Sequence, residues 1–231
     1  MTEPSAPPPF YPVSLDVSGH ACLVVGGGTV AARKAGTLLE CGADVTVIAS
    51  SFSEDMEALV PSLHAAERRP YRKGDASTFR LVITATGIPD VDGAVYADAE
   101  GHGIWTNSAD DLAHCSFILP AVHRDGAVTV AVSTGGLSPA LASWLRTRIA
   151  AEYGDTLGTL AQLLGNARAN LKRAGFRSDS VDWVRLLDGP LPELIRTGDI
   201  DNAAAIVASA TDHESFAPVG RSCPGSYLQL H

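Results

Sequence analysis

Two neighbouring aspartates and a histidine stand close together in the stretch TNSADDLAHCSF, which covers residues 106–117. Asp110 and Asp111 follow GIWTN, an apolar run that predicts a strand, and His114 lies four residues after Asp110. A carboxylate at a strand end can accept a proton from a substrate or stabilise a developing positive charge. An aspartate in this position can equally begin a helix by accepting backbone N–H groups. The stretch by itself leaves both roles open.

A glycine-rich turn, VVGGGTVA, indicates a second kind of chemistry. Gly26, Gly28 and Ala31 fit the pattern G-x-G-x-x-G/A, between a predicted strand (21–25) and a predicted helix. The first glycine permits a tight turn, the second lets the backbone approach a pyrophosphate, and the small third residue lets the helix lie close to the sheet. Backbone amides at the positive helix end then face the phosphates. We predict a dinucleotide site, with a ligand-free glycine loop as the alternative; its expected contacts are Gly26, Gly27, Gly28, Thr29 and Val30.

The end of the second predicted strand (45–49) bears on the choice of dinucleotide. An acidic residue about twenty positions after the glycine loop would bind the ribose hydroxyls, yet this strand ends in Ser50 and Ser51. Both serines are candidate ribose contacts, through hydroxyl or backbone, and a helix-capping turn is the alternative. No arginine follows the strand to hold a 2′-phosphate. The sequence therefore favours NAD over NADP.

Short apolar runs alternate with amphipathic stretches up to about residue 126, which predicts an α/β fold with a Rossmann-type parallel sheet. The remaining strands are expected at 67–71, 81–85 and 127–132, the first of them weak. From Pro139 to about residue 210 the spacing of apolar residues predicts helices. The predicted organisation is a flexible tail (1–13), a dinucleotide-binding domain (14–113), a linking segment (114–150), a helical domain (151–210) and a peripheral tail (211–231).

Charge and composition exclude several classes of function. The formal net charge of −9 argues against a surface for nucleic acid or an anionic membrane. The four cysteines form no CxxC pair, and no spacing resembles a zinc site. The first ten residues lack the features of a signal peptide, and no apolar run approaches the roughly 18 residues of a membrane span. We expect a soluble, cytoplasmic protein.

Several motifs together resemble one family. The stretches VGGGTVAARK, RLVITATG, TNSADDLAHCSFILPA and VTVAVSTGGLSPALASWLRTRI are similar to those of the precorrin-2 dehydrogenase/sirohydrochlorin ferrochelatase family, the N-terminal module of siroheme synthase. The resemblance is strong over about residues 10–150. It implies a homodimer in which 114–150 is the dimerisation segment, and NAD-dependent oxidation of precorrin-2 to sirohydrochlorin. Many members then insert Fe²⁺ into the product, and a bifunctional form of this chain would insert Fe²⁺ or Co²⁺.

The resemblance also implies roles for individual residues. The family's essential acid/base falls on Asp110, and its phosphorylatable serine in the S-S/T-G-G turn falls on Thr134. Thr86, where the fourth strand ends, is an expected cofactor contact. Ser108, Ala109 and Leu112 differ from the usual residues of the family around the acid, which leaves a dehydrogenase without chelatase activity as an alternative. A non-catalytic NAD-responsive binding protein on the same scaffold is a second alternative.

The substrate of such an enzyme carries many carboxylates, so cationic side chains should line its cleft. Arg146 and Thr134 are the predicted substrate contacts. The alternative is ordinary solvated surface for Arg146 and a purely turn-forming role for Thr134. Capping is the expected role of Asp111. His114 is expected to be a packed surface residue, with proton or metal transfer as its alternative.

Overall fold

A computed structural model describes residues 10–212 of the chain. Its first half forms five parallel strands with helices on both faces, as the alternating pattern predicts. The strands are β1 (Ala21–Val25), β2 (Asp44–Ala49), β3 (Ala65–Arg68), β4 (Leu81–Thr84) and β5 (Trp105–Ser108). The helices between them are α1 (Thr29–Glu40), α2 (Glu54–Leu59) and α3 (Pro89–Gly101).

The strand order is β3-β2-β1-β4-β5, so the direction of winding reverses between β1 and β4. In open parallel sheets, ligands bind outside the carboxyl ends of the strands at this point of reversal. The glycine loop (26–28) directly follows β1, and Asp110 comes shortly after β5. The topology thus brings both predicted chemical motifs to the same edge of the sheet.

The sheet is buried on both faces, which explains why its central strands read as continuous apolar runs. On β1, Cys22 and Val24 pack into the core shared with α1, while Leu23 and Val25 pack into the opposite core with α3. All four side chains are at most 2% exposed. This rigid centre holds the strand ends that carry the candidate site.

Two strand predictions require correction. The weak strand expected at 67–71 lies instead at Ala65–Arg68, because Pro70 cannot donate to a strand ladder and the chain leaves the sheet there. The strand expected at 127–132 is β7 (Val128–Val132), which pairs antiparallel with β6 (Ala121–Asp125) as a two-stranded sheet. The pattern did not predict β6, since its sequence AVHRD is short and ends in polar residues.

The chain divides into two compact units. The first comprises residues up to 120 together with 133–139, and it contains the parallel sheet. The second contains the β6–β7 hairpin and the helical remainder of the chain. Its helices are α4 (Pro139–Tyr153), which starts at the last residue of the first unit, α5 (Thr156–Arg173), α6 (Trp183–Leu187), α7 (Leu191–Arg196) and α8 (Ile200–Ala210).

The second unit has a core of its own, in which α5, α7 and α8 pack through Leu160, Leu191 and Val207. The predicted domain boundaries and the dimerisation segment (114–150) remain predictions, because the division of a single chain into compact units does not test them. Residues 1–9 and 213–231, which make up most of both predicted tails, lie outside the described part of the chain. Between residues 10 and 212, no helix has the length and apolar character to cross a membrane.

Candidate active site

The first two glycines of the glycine loop are required by the fold itself. Gly26 has a φ of 129°, and a Cβ atom there would lie 2.4 Å from the carbonyl oxygen of Ala85. A Cβ on Gly27 would lie 1.9 Å from the carbonyl oxygen of Ser51. The loop is therefore wedged between the ends of β2 and β4, where only glycine fits.

The third glycine faces open space. A Cβ on Gly28 would meet no atom within 4 Å, although Gly28 is the N-cap of α1. Within residues 10–212, no side chain caps this helix end, and Thr29 and Val30 are exposed. Uncapped amides at the positive end of a helix, beside a space that a side chain would partly fill, suit the pyrophosphate of a dinucleotide. The residues present thus fit the predicted cofactor.

The structure brings the two predicted serines to the glycine loop. Ser50 and Ser51 are exposed, and the backbone N–H of Ser53 donates to the carbonyl oxygen of Gly27 over 2.8 Å. The Phe52 ring also approaches Gly27, since a Cβ there would lie 3.0 Å from Phe52 Cδ1. The turn after β2 therefore lies directly beside the loop, as a ribose site requires.

An arginine that the sequence pattern did not place lies next to this turn. Arg68, at the end of β3, is in register with Ala49 at the end of β2. Its guanidinium carbon stands 4.7 Å from the centroid of the Phe52 ring, and its Nη2 forms an ion pair with Glu57. No arginine follows β2 in the sequence, but strand pairing brings Arg68 of β3 to the same end of the sheet.

Thr86, a predicted cofactor contact, has its hydroxyl engaged within its own turn. The hydroxyl donates to Asp92 Oδ1 over 2.9 Å and accepts from the N–H of Ile88 over 3.1 Å. The backbone N–H of Thr86 and the hydroxyl of Thr84 also donate to Asp92 Oδ1. Asp92, which the sequence analysis missed, therefore fixes the end of β4 from α3. An acid in the first turn of a helix is too common a feature to have revealed this role.

The two aspartates of the acid loop (residues 108–115) differ in their surroundings. Asp111 Oδ1 accepts the N–H of Ala113 over 3.0 Å, and its Oδ2 lies 2.7 Å from His114 Nδ1. The hydrogen bond from His114, and then that from Ala113, lower the pKa of Asp111. Asp110 is exposed, and its carboxylate accepts no hydrogen bond from any residue between 10 and 212. The capping role expected for Asp111 is confirmed, and Asp110 is the uncommitted carboxylate.

His114 anchors the acid loop to α3. Its ring lies 5.1 Å from the ring of Tyr96, and its Cε1 would lie 3.8 Å from a Cβ on Gly93. With Nδ1 on Asp111 and the ring on α3, the imidazole is a packing residue. This is the plainer of the two roles considered for it.

The thiol of Cys115 closes the acid loop. Its Sγ accepts the N–H of Ser108 over 3.2 Å and lies 3.3 Å from the carbonyl oxygens of both Ser108 and Asp111. Burial raises the pKa of this thiol, so that its hydrogen remains available to donate. At the other end of the loop, the N–H of Ala109 donates to the carbonyl oxygen of Thr84 over 2.9 Å. The backbone on both sides of Asp110 is therefore held.

A lysine lies within electrostatic range of Asp110. Burial, followed by the charge of Arg33, lowers the pKa of Lys34, while Asp110 and Cys115 act in the opposite direction. Lys34 is on α1, one turn beyond the exposed start of that helix. The sequence analysis did not connect this cation with Asp110, because only the packing of α1 against the sheet brings them near.

The STGG turn, in the same unit, meets the acid loop. A Cβ on Gly136, whose φ is 85°, would lie 2.9 Å from Leu112 Cδ2. The hydroxyl of Thr134 accepts the N–H of Ser138 over 3.0 Å and donates to the carbonyl oxygen of Ser138 over 3.1 Å. Thr134 thus has its hydroxyl engaged in the turn. Arg146, the other predicted substrate contact, is half-buried on α4 in the second unit.

No group of three histidine, cysteine, aspartate or glutamate side chains within residues 10–212 is arranged to hold a metal ion.

A parallel sheet that reverses its winding beside an uncapped glycine loop defines a Rossmann-type dinucleotide-binding protein. Residues 13–121 match the model of a family described as "Putative NAD(P)-binding", which confirms the predicted nicotinamide dinucleotide cofactor. Residues 125–152 match the family described as sirohaem biosynthesis protein, central. Both matched stretches are similar to parts of siroheme biosynthesis proteins, the family that the motifs of this chain resemble.

Known proteins agree with this assignment. Siroheme synthase of Methylococcus capsulatus is 40% identical over 206 residues, and that of Nitrosococcus oceani is 34% identical over 206 residues. Each match covers 88% of this chain but 44% of the relative, so the chain spans less than half the length of these proteins. The solved structure of SirC, precorrin-2 dehydrogenase, has the same fold, with a TM-score of 0.68 at 23% identity, covering 87% of this chain and 98% of that one.

Proposed function

We propose that the chain catalyses the NAD-dependent dehydrogenation of precorrin-2 to sirohydrochlorin in siroheme biosynthesis. The observation that carries this proposal is the uncommitted carboxylate of Asp110, held at the sheet edge that also bears the glycine loop. The names of the similar proteins, siroheme synthase and precorrin-2 dehydrogenase, indicate the substrate.

Asp110 is the proposed proton acceptor. When bound, the oxidised nicotinamide would accept a hydride from a carbon of the reduced tetrapyrrole. The hydride carries both electrons of the broken C–H bond. The positive charge that develops on the substrate is stabilised by the nearby carboxylate, which then takes the proton released as the new double bond forms. The fixed backbone on both sides of Asp110 keeps the carboxylate in place without consuming its oxygens.

The substrate's carboxylates require cations in a chain of net charge −9. Arg146 remains a proposed substrate contact, and Thr134 is proposed to act through the backbone of its turn, since its hydroxyl is engaged. Lys34, within electrostatic range of Asp110, is a further cation of the proposed site. In the cofactor site we propose contacts from Gly26, Gly27, Gly28, Thr29, Val30, Ser50, Ser51 and the backbone of Thr86.

The proposal is tested by mixing the protein with NAD and precorrin-2 without oxygen and recording NADH absorbance together with the sirohydrochlorin spectrum. We expect one NADH for each sirohydrochlorin formed. If NAD binds but no NADH appears, the chain is a non-catalytic NAD-responsive protein and the proposed reaction is wrong.

Insertion of Fe²⁺, or Co²⁺, into sirohydrochlorin is a second proposed reaction of the same site. Metal entry requires two pyrrole N–H protons to leave, and an uncommitted carboxylate can accept them in turn. The metal here is a substrate. The protein is mixed with sirohydrochlorin and Fe²⁺, and the absorbance of sirohydrochlorin is followed. A metal-dependent change in the spectrum supports chelatase activity, whereas an unchanged spectrum shows that the protein is a dehydrogenase without it.

We further propose that the protein is a cytoplasmic homodimer. Helix α4 buries only Ala142 among its residues, whereas its Trp144 is 57% exposed and its Tyr153 is 43% exposed. Exposed aromatic side chains on one helix are typical of an interface between proteins, which supports the homodimer. The state of the cysteines supports the cytoplasmic location. Within residues 10–212, Cys22, Cys41 and Cys115 form no disulfide bond, as in proteins of reducing compartments.

A further inference from the structure

An ion pair lies where a dinucleotide's adenosine ribose is expected. Arg68 Nη2 is 2.8 Å from Glu57 Oε1 and 2.6 Å from Glu57 Oε2, while the guanidinium lies over the Phe52 ring. Phe52 in turn approaches Gly27 of the glycine loop. The arginine, the aromatic ring and the loop therefore form one continuous surface beside Ser50 and Ser51.

This pair contributes little to the stability of the fold. The side chains of Arg68 and Glu57 are 50% and 49% exposed, and water screens the attraction within ion pairs at such exposure. Both groups are instead accessible to a ligand. The pair is thus better placed to act on a bound molecule than to hold α2 against β3.

The chemistry of the two nicotinamide dinucleotides differs at this position alone. NAD has a neutral 2′-hydroxyl on the adenosine ribose, while NADP has a phosphate with a charge of about −1.5 to −2 at pH 7. A free arginine beside the ribose favours the phosphate. Here the arginine is paired, and the first turn of α2 carries three carboxylates, from Glu54, Asp55 and Glu57.

We propose that the Arg68–Glu57 pair selects NAD over NADP. Glu57 occupies the guanidinium and places its own negative charge where the 2′-phosphate would lie. The 2′-hydroxyl of NAD carries no charge and is not repelled. This inference rests on the dinucleotide site of the proposed function, and it identifies Glu57 and Arg68 as specificity-determining residues that no simple motif contains.

The test is a titration of the purified chain with NAD and with NADP, followed by calorimetry, in wild type and in Glu57→Gln. Wild type should bind NAD more tightly than NADP by at least about tenfold. Glu57→Gln should raise the affinity for NADP by about tenfold, and move that for NAD by less than about twofold. The double variant Glu57→Gln/Arg68→Met should lose this gain, since no guanidinium remains to donate hydrogen bonds to the phosphate.

Glu54→Gln is the matched control, because it removes one charge from the same helical turn without freeing Arg68. It should raise NADP affinity clearly less than Glu57→Gln does. Equal gains in both variants, no gain in Glu57→Gln, or equal affinity of wild type for both dinucleotides would each overturn the inference. Because binding is the readout, a selective protein that fails to oxidise precorrin-2 refutes only the proposed reaction. A wild type that binds neither dinucleotide refutes both.

Discussion

Asp110 and Asp111 are chemically identical neighbours whose roles are separated by the atoms around them. Both oxygens of Asp111 are engaged by Ala113 and His114, whereas those of Asp110 accept no hydrogen bond within residues 10–212. A carboxylate that already holds a helix end and a histidine is poorly placed to take a proton from a substrate. The resemblance to a family assigned the acid to Asp110, and the geometry gives an independent physical reason.

At the same scale, Cys115 is expected to act as a positioning residue for Asp110. Cys115→Ala removes the thiol that joins Ser108 to Asp111, so the loop loosens around the acid. We expect kcat for precorrin-2 oxidation to fall about threefold to tenfold, the equivalent of one hydrogen bond, with the Kd for NAD unchanged. Steady-state kinetics and NAD titration measure the two quantities.

Cys115→Ser is the control for this prediction, because a hydroxyl retains one donor and one acceptor. It should recover most of the lost kcat. The positioning role is wrong if the alanine variant keeps the wild-type kcat, or if serine and alanine are equally impaired.

At the scale of elements, α3 is the helix that positions the site. Its first turn supplies Asp92, which fixes the end of β4, and its next turn receives the His114 ring on Tyr96. Its last turn carries Asp98, which accepts hydrogen bonds from the Tyr71 hydroxyl and from the N–H of Gly74 over 2.7 Å. One helix thus ties together the β4 turn, the acid loop and the β3–β4 connection.

Asp98→Asn is expected to destabilise the fold in a pH-dependent way. Asp98 is 6% exposed; burial alone raises its pKa, but the hydrogen bonds from Tyr71 and Gly74 outweigh burial, and the pKa is lowered. An acid with a lowered folded pKa stabilises the protein above its unfolded pKa of about 3.9 and loses this contribution as the pH falls through the folded value. At pH 7 the variant should lose about 1–3 kcal/mol of unfolding free energy.

Urea denaturation at pH 7 and at about pH 3.5 measures this effect. The difference between wild type and Asp98→Asn should be full at the higher pH and smaller at the lower. A difference that is absent at pH 7, or that grows as the pH falls, would show that Asp98 is not a stabilising ionised group.

Elements were predictable from sequence where a local pattern determines them. The apolar runs of β1, β2 and β4 and the VVGGGTVA turn follow from period and glycine placement, and the structure has them there. Arg68, Asp92 and Cys115 were not assigned, because their roles depend on strand register, helix packing and loop closure. Strand register, helix packing and loop closure each bring together residues that are separated in the sequence. Such contacts cannot be predicted from the spacing of residues.

At the scale of the whole molecule, the chain consists of a Rossmann-type unit and a second unit of hairpin and helices. The matched families span both, at 13–121 and 125–152. The sequence predicted this order of parts because its glycine and acid motifs lie in the first unit and its long helical spacing in the second. It did not predict that residues 133–139 belong with the first unit, where the STGG turn meets Leu112.

The proposed homodimer predicts that Trp144→Glu will dissociate the protein. A charge on the exposed aromatic of α4 would be buried in the interface, which is strongly unfavourable. Sedimentation velocity should show a dimer for wild type and a monomer for the variant. Val184→Glu, which alters a side chain 66% exposed on α6, is the control and should remain dimeric. A monomeric wild type, or a Trp144→Glu protein that stays dimeric, contradicts the proposed interface.

The central claim is that Asp110 takes the proton during dehydrogenation, and one comparison tests it most directly. Rates of NADH formation from precorrin-2 and NAD are measured for wild type, Asp110→Asn and Asp111→Asn, with NAD affinity recorded for each. Asp110→Asn should lower kcat by at least about 100-fold while binding NAD normally, since general acid–base groups contribute about 10²–10⁴-fold. Asp111→Asn, which keeps an acceptor for Ala113, should lose no more than about tenfold. An Asp110→Asn protein that turns over at the wild-type rate, or an Asp111→Asn protein that is the more impaired of the two, would contradict the account.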